Sequence, residues 1–118
     1  MATFSYFKIT DTTVTTISPI DTVSTTTITN DILGAPKFVT ICNLDDSGDD
    51  CTIDLYLDDG GGTDTKNPIH ILHDVVIPGG STLILERPEI NYNSTVYALK
   101  FKLTSVAATQ LVDIKIEY

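Results

Sequence analysis

Apolar and polar residues alternate with a period of two over much of this chain, which is the signature of half-buried strands. The clearest run is CTIDLYLD, 51–58, where Cys51, Ile53, Leu55 and Leu57 face one way and Thr52, Asp54, Tyr56 and Asp58 the other. KFVTICNL (37–44) reads as a central strand, and IHILHDVVIP (69–78) as a strand stopped by Pro78. STLILE then resumes, and TVYALKFKLTS (95–105) and QLVDIKIEY (110–118) close the chain. In the last strand Val112, Ile114 and Ile116 share a face, with Asp113, Lys115 and Glu117 opposite. After a slip at Tyr97-Ala98, the residues Leu99, Phe101 and Leu103 keep one parity.

The punctuation between these runs is turn chemistry. Gly34 and Pro36 break LGAPKF, LDDSGDD is a polar turn, and DDGGGTDTKNP carries three consecutive glycines. Pro78 cannot donate to a ladder, and Gly79-Gly80 can adopt positive φ, so VVIPGGSTLILE reads as strand, turn, strand. ERPEINYNST and VAAT are the last connections. No helical period is readable. The pattern predicts seven or eight short, mainly antiparallel strands in a compact β-sandwich or jelly-roll-like barrel.

Threonine dominates the first third, in TDTTVTTIS and DTVSTTTITND, and as a β-branched residue it favours extended backbone. Val14, Val23 and Ile28 are the expected inward anchors. Two arrangements fit: a pair of edge strands around SPID, or an extended arm lying on a neighbouring subunit. With 118 residues, the expectation is one domain spanning 1–118, with 1–30 as the stretch that would form such an arm.

Charge narrows the partners. The formal net charge is −9, from 16 acidic and 7 basic residues, with no basic run. Nucleic-acid backbones and anionic membrane surfaces attract Lys and Arg, so neither is an expected partner. No run of apolar residues reaches the length of about 18 needed for a spanning helix, and MATFSYFKITDTT lacks the pattern of a secretory signal. Synthesis in a cytoplasm is expected.

Candidate chemistry is sparse. If 37–44 and 51–58 form a hairpin centred between Asp46 and Ser47, Cys42 lies opposite Cys51. Opposed Cβ atoms approach to about 4.5–5.5 Å, and a disulfide needs about 3.5–4.5 Å. A bridge after a small adjustment and two reduced, half-buried thiols are therefore both open. A metal site on the two cysteines lacks two further ligands.

Asp45, Asp46, Asp49 and Asp50 share one turn, and Asp58, Asp59 and Asp64 the next loop. Neither matches the spacing of a twelve-residue calcium loop, and they flank opposite ends of 51–58, about 23 Å apart at ~3.3 Å per residue. Solvated polar turns are the plain expectation. His70 and His73 are three apart, which on a regular strand places them on opposite faces and makes a shared metal awkward. Ser81 and Ser94 carry no nucleophile-elbow pattern. Asn93-Ser94-Thr95 fits glycosylation spacing without an export signal to support it. Tyr56, Tyr92 and Tyr97 are either interface anchors or ordinary half-buried sheet residues. No catalytic residue, cofactor site or metal site is assigned, and no enzyme is expected.

The second half, 37–118, resembles a group of small all-β virion structural proteins of tailed bacteriophages, including cyanophage-like ones. The stretches that carry the resemblance are Ile77-Pro78-Gly79-Gly80-Ser81-Thr82-Leu83-Ile84-Leu85, the small-residue turn Val106-Ala107-Ala108, and the terminal strand Val112-Asp113-Ile114-Lys115-Ile116-Glu117-Tyr118. The group's Gly-Asp element is replaced by Tyr92-Asn93-Ser94. The resemblance implies a non-enzymatic particle component on the capsid surface. It would be a decoration or cement protein binding the major capsid protein or neighbouring virion proteins, itself a homo-oligomer such as a trimer. A neck or tail accessory, or a receptor- or glycan-binding knob or fibre module, is the alternative. Contacts would come from Thr13 to Ile17 and from acidic turns meeting a basic capsid surface.

Overall fold

Every strand has at least one apolar flank, so each must lie on a second sheet to bury it. The computed structural model describes residues 4–20, 34–45, 48–60, 68–105 and 111–118. They form eight strands: β1 (Phe4–Ile9), β2 (Thr15–Ser18), β3 (Phe38–Asn43), β4 (Cys51–Asp58), β5 (Ile69–Ile77), β6 (Thr82–Glu86), β7 (Ala98–Ser105) and β8 (Val112–Glu117). Two four-stranded antiparallel sheets result, in the orders β1-β8-β3-β6 and β2-β7-β4-β5. Strand 4 pairs with 5, 3 with 6, 2 with 7 and 1 with 8. The chain is thus one long ribbon doubled back at its middle and rolled so that β3 meets β8 and β4 meets β7. That is the jelly-roll order, a sandwich of two Greek keys.

The inner faces are the ones the alternation marks. Cys51, Ile53, Leu55 and Leu57 of β4 meet Leu99, Phe101 and Leu103 of β7, and across the sandwich Val39 and Ile41 join Val112, Ile114 and Ile116. Each large side chain so buried is worth about 1.5–3 kcal/mol. Ile90, fully buried, reaches the core from the connection after β6, where no alternation announces it. At that connection Arg87 donates through Nε to Pro36 O at 3.2 Å and through a terminal nitrogen to Ala35 O, clasping the segment that leads into β3.

The structure corrects several expectations. Strands 37–44 and 51–58 are not a hairpin: β3 and β4 lie in different sheets, each a central strand paired on both sides. Cys42 stands opposite Thr82 and Asp113, and Cys51 opposite Ile77. Both thiols are free. Alternation is identical for a hairpin and for a crossing between sheets, so it could not separate them. In the first third, FSYFKI forms β1, which the threonine pattern did not suggest. Val14 is 42% exposed, and Ile17, at 1%, is the inward anchor. Val23 and Ile28 lie outside the described residues. β1 and β2 take sheet edges, so the segment Thr13 to Ile17 commits Ile17 to this chain's own core.

The crossings β3–β4 and β5–β6 meet at one buried amide. Asn43 Nδ2 donates to Ile77 O and to Asp49 O, both at 3.0 Å, and Asn43 Oδ1 accepts from Asp45 N at 3.1 Å. Its backbone donates to Ser81 O and accepts from Gly80 N. Pro78-Gly79-Gly80 passes so close that a Cβ at Gly79 would lie 2.8 Å from Gly48 backbone carbons. Gly80 has φ 78°, where an L side chain is strained. The turn's job is therefore geometric.

Two outcomes follow for chemical denaturation. Asn43→Ala strands the Ile77 and Asp49 carbonyls and is expected to lower unfolding free energy by about 2–4 kcal/mol, since each buried orphan costs ~1–3 kcal/mol. Gly79→Ala forces backbone apart and is expected to cost about 1–3 kcal/mol, whereas Ala at exposed Glu86 should leave the urea midpoint unchanged.

Candidate functional site

The two outer faces of the sandwich have different chemistry. On the β1-β8-β3-β6 sheet, the outward positions form rows: Phe4, Glu117, Phe38 and Glu86; Tyr6, Lys115, Thr40 and Ile84; Lys8, Asp113, Cys42 and Thr82. Phe4, Tyr6, Phe38 and Ile84 are large, outward and exposed, Tyr6 by 70% and Ile84 by 58%. Phe4 and Tyr6 stack at 6.4 Å between ring centroids. A shallow depression of about 490 Å³ runs across β8 between Tyr6 and Lys8 on one side and Thr40 and Cys42 on the other. Lys8 and Asp113 pair at 2.8 Å across its end, well exposed and so contributing little.

The opposite outer face is polar. Asp54, Tyr56 and Asp58 of β4 stand beside Lys102 and Lys100 of β7, and Lys100 Nζ lies 3.2 Å from Asp58 Oδ2. With Gly60, Pro68 and His70 they line an open groove of about 550 Å³. Tyr56 packs against His70 with ring centroids 5.3 Å apart, and burial pushes the Tyr56 phenol above its ordinary range.

At this groove β5 departs from a regular strand. One step on β4, Tyr56 to Leu55, matches two on β5, His70 to Leu72. Two steps, Leu55 to Ile53, match three, Leu72 to Val75. Each bulge inserts one residue and reverses parity. The first bulge returns His73 to the face that His70 occupies, and the second, where Asp74 takes φ 50°, sets His73 and Asp74 together against Asp54. The expectation that the two histidines face opposite sides is thereby overturned.

The resulting geometry is tight. His73 Nδ1 lies 3.1 Å and His70 Nε2 3.8 Å from the Asp54 carboxylate. Asp74 donates its backbone N–H to Asp54 Oδ1 at 2.8 Å, and its own carboxylate is 3.3 Å from His73 Nε2. The two imidazoles meet edge to face at 4.9 Å. One ligand atom from each of Asp54, His70 and His73 lies within 4.8 Å of the others, the convergence a metal ion requires; among the described residues the acidic turns form no such group. Asp46 and Asp64 lie outside the described residues. Ser81 sits in the β5–β6 turn, where its N–H bonds Pro78 O. Asn93 accepts from Thr95 in a local turn. Tyr92 and Tyr97 pack partly against the core, and burial raises the Tyr92 phenol. Comparison with known protein families, curated proteins and solved structures gave no match.

The thiols offer a direct check on this geometry. Cys51 is fully buried, and burial raises its pKa, whereas Cys42 is partly open beside the Tyr6 depression. A disulfide-exchange reagent is expected to titrate one thiol per native chain and two in denaturant, with Cys42→Ser removing the native signal.

Proposed function

We propose that this chain is a non-enzymatic structural protein of a bacteriophage particle, a capsid decoration or cement protein that stabilises contacts between capsid subunits. The observation that carries the reading is the outer face of the β1-β8-β3-β6 sheet. Four large apolar side chains point outward there, away from the chain's own core. Several large apolar side chains exposed on one face of a surface otherwise rich in charge suit a protein partner, and aromatic residues are the usual anchors of such contacts. Two further features support it. The segments that resemble phage structural proteins form the β5–β6 crossing and strand β8, which lies in the middle of this face. The net charge of −9 complements a basic capsid surface.

In this reading the face beds on the major capsid protein or on a neighbouring virion protein, and β1 and β6, the edges of the sheet among the described residues, are the strands to which another strand would add. The other sheet offers less for pairing: β2 has four residues and β5 is bulged. Head-to-tail contact between the β1 edge of one copy and the β6 edge of the next would give the homo-oligomer, a trimer being one closed form.

The test is a cryo-electron reconstruction of the particle carrying this chain, with binding of the purified protein to undecorated capsids. Density on the capsid lattice with Tyr6 and Ile84 at the contact is the expected result. Tyr6→Glu and Ile84→Lys, both on exposed positions, should weaken capsid binding by at least ~10-fold, as for anchor residues. Density at the neck or tail alone would move the role there. Glycan-dependent adhesion without particle-lattice density would make it a receptor-binding knob.

A further inference from the structure

We propose that Asp54, His70 and His73 bind a divalent transition-metal ion of zinc-like ligand preference on the outer face of the β2-β7-β4-β5 sheet. The inference is independent of the particle role, since the residues lie on the sheet opposite the apolar patch.

Three donors converge beside Asp54. His73 turns Nδ1 to Asp54 Oδ1 at 3.1 Å, and His70 Nε2 is aimed at the other oxygen of Asp54 from 3.8 Å. One donor atom from each of the three residues lies within 4.8 Å of the others, which brings two imidazole nitrogens and a carboxylate oxygen to one spot.

The spacing suits a small ion. Donors at about 2.0–2.1 Å from a tetrahedral zinc are about 3.3 Å apart. Here His73 Nδ1 is 3.1 Å from Asp54 Oδ1, His70 Nε2 is 3.8 Å from Asp54 Oδ2, and one donor atom from each residue lies within 4.8 Å of the others, so the donors draw in slightly to close on an ion. The remaining adjustment falls on two histidine side chains that are 35% and 65% exposed. The surroundings supply the supporting contacts such sites use. The Asp74 carboxylate lies 3.3 Å from His73 Nε2, the ring nitrogen that does not face Asp54, and the Asp74 backbone N–H fixes one oxygen of Asp54. Two imidazoles with one carboxylate select zinc, copper or nickel over calcium, which wants six to eight oxygens. Lys102, Asp54's cross-strand neighbour, opposes a cation, while Lys100 is engaged by Asp58. With three protein ligands and solvent on the His73 side, the ion keeps an open position for water or a partner's side chain.

The experiment titrates the full chain, stripped with chelator and dialysed, with zinc by calorimetry, and with cobalt as an absorbance probe. The chain has two histidines, so imidazole NMR signals report on this site alone. One equivalent per chain, perturbation of both imidazoles and a raised Tm are expected. His70→Ala and His73→Ala should abolish binding while leaving metal-free Tm close to wild type. Asp74→Asn should weaken affinity by roughly 10–100-fold, as expected of a residue that orients a ligand. Binding that survives either histidine variant, binding of calcium as tight as zinc, or no saturable zinc binding would overturn the proposal.

Discussion

The carboxamide of Asn43 lies where the rolled ribbon has to change sheets, and the architecture closes around it. β3 ends there in one sheet, β5 ends there in the other, and the 48–50 segment leading into β4 passes over it. Each of those strand ends would leave a carbonyl or amide out of water with no ladder partner. One side chain with two donors and an acceptor meets three of them: Ile77 O, Asp49 O and Asp45 N. The neighbouring Leu44 N–H bonds Leu111 O at the entry to β8, so a third crossing is tied to the same end. Glycine at 79 is the corollary, because the β5–β6 turn has to pass against Gly48 to reach this amide. The far end of β8 carries a smaller tie, Tyr118 OH donating to Ser18 Oγ at 2.8 Å, between the last residue and β2.

With the crossings pinned, each strand's alternation decides which face it shows, and β5 is where that rule is broken. Its bulges keep Leu72 and Val75 directed at the core while bringing two histidines to the surface. Asp54 would be an ordinary outward residue of β4, yet it is largely buried because His70, His73 and Asp74 close over it. A bulge bends the strand and disrupts its ladder, which also makes the sheet edge a poor template for another chain. One local irregularity thus both gathers the donors and blunts the edge.

The two outer faces differ in chemistry. The apolar face on β1, β8, β3 and β6 is suited to a broad protein contact, and its charged residues Glu117, Lys115 and Asp113 sit between the apolar ones along β8. The polar face on β7, β4 and β5 is suited to an ion.

The sequence by itself determined the class of fold and most of the core. Alternation in 51–58, 99–103 and 112–116 names the inward residues correctly because a strand on a core must put every second side chain there. The turn at Pro78-Gly79-Gly80 was legible for the same local reason. What tertiary structure decided was everything carried by pairing. A hairpin and a crossing leave the same alternation, so the separation of Cys42 from Cys51 depended on which sheet each strand joined. Ile90 is buried by the docking of its connection, and no period announces it. The Asp54-His70-His73 group depended on two inserted residues, visible only against the partner strand, because a bulge is a mismatch between two strands rather than a property of one.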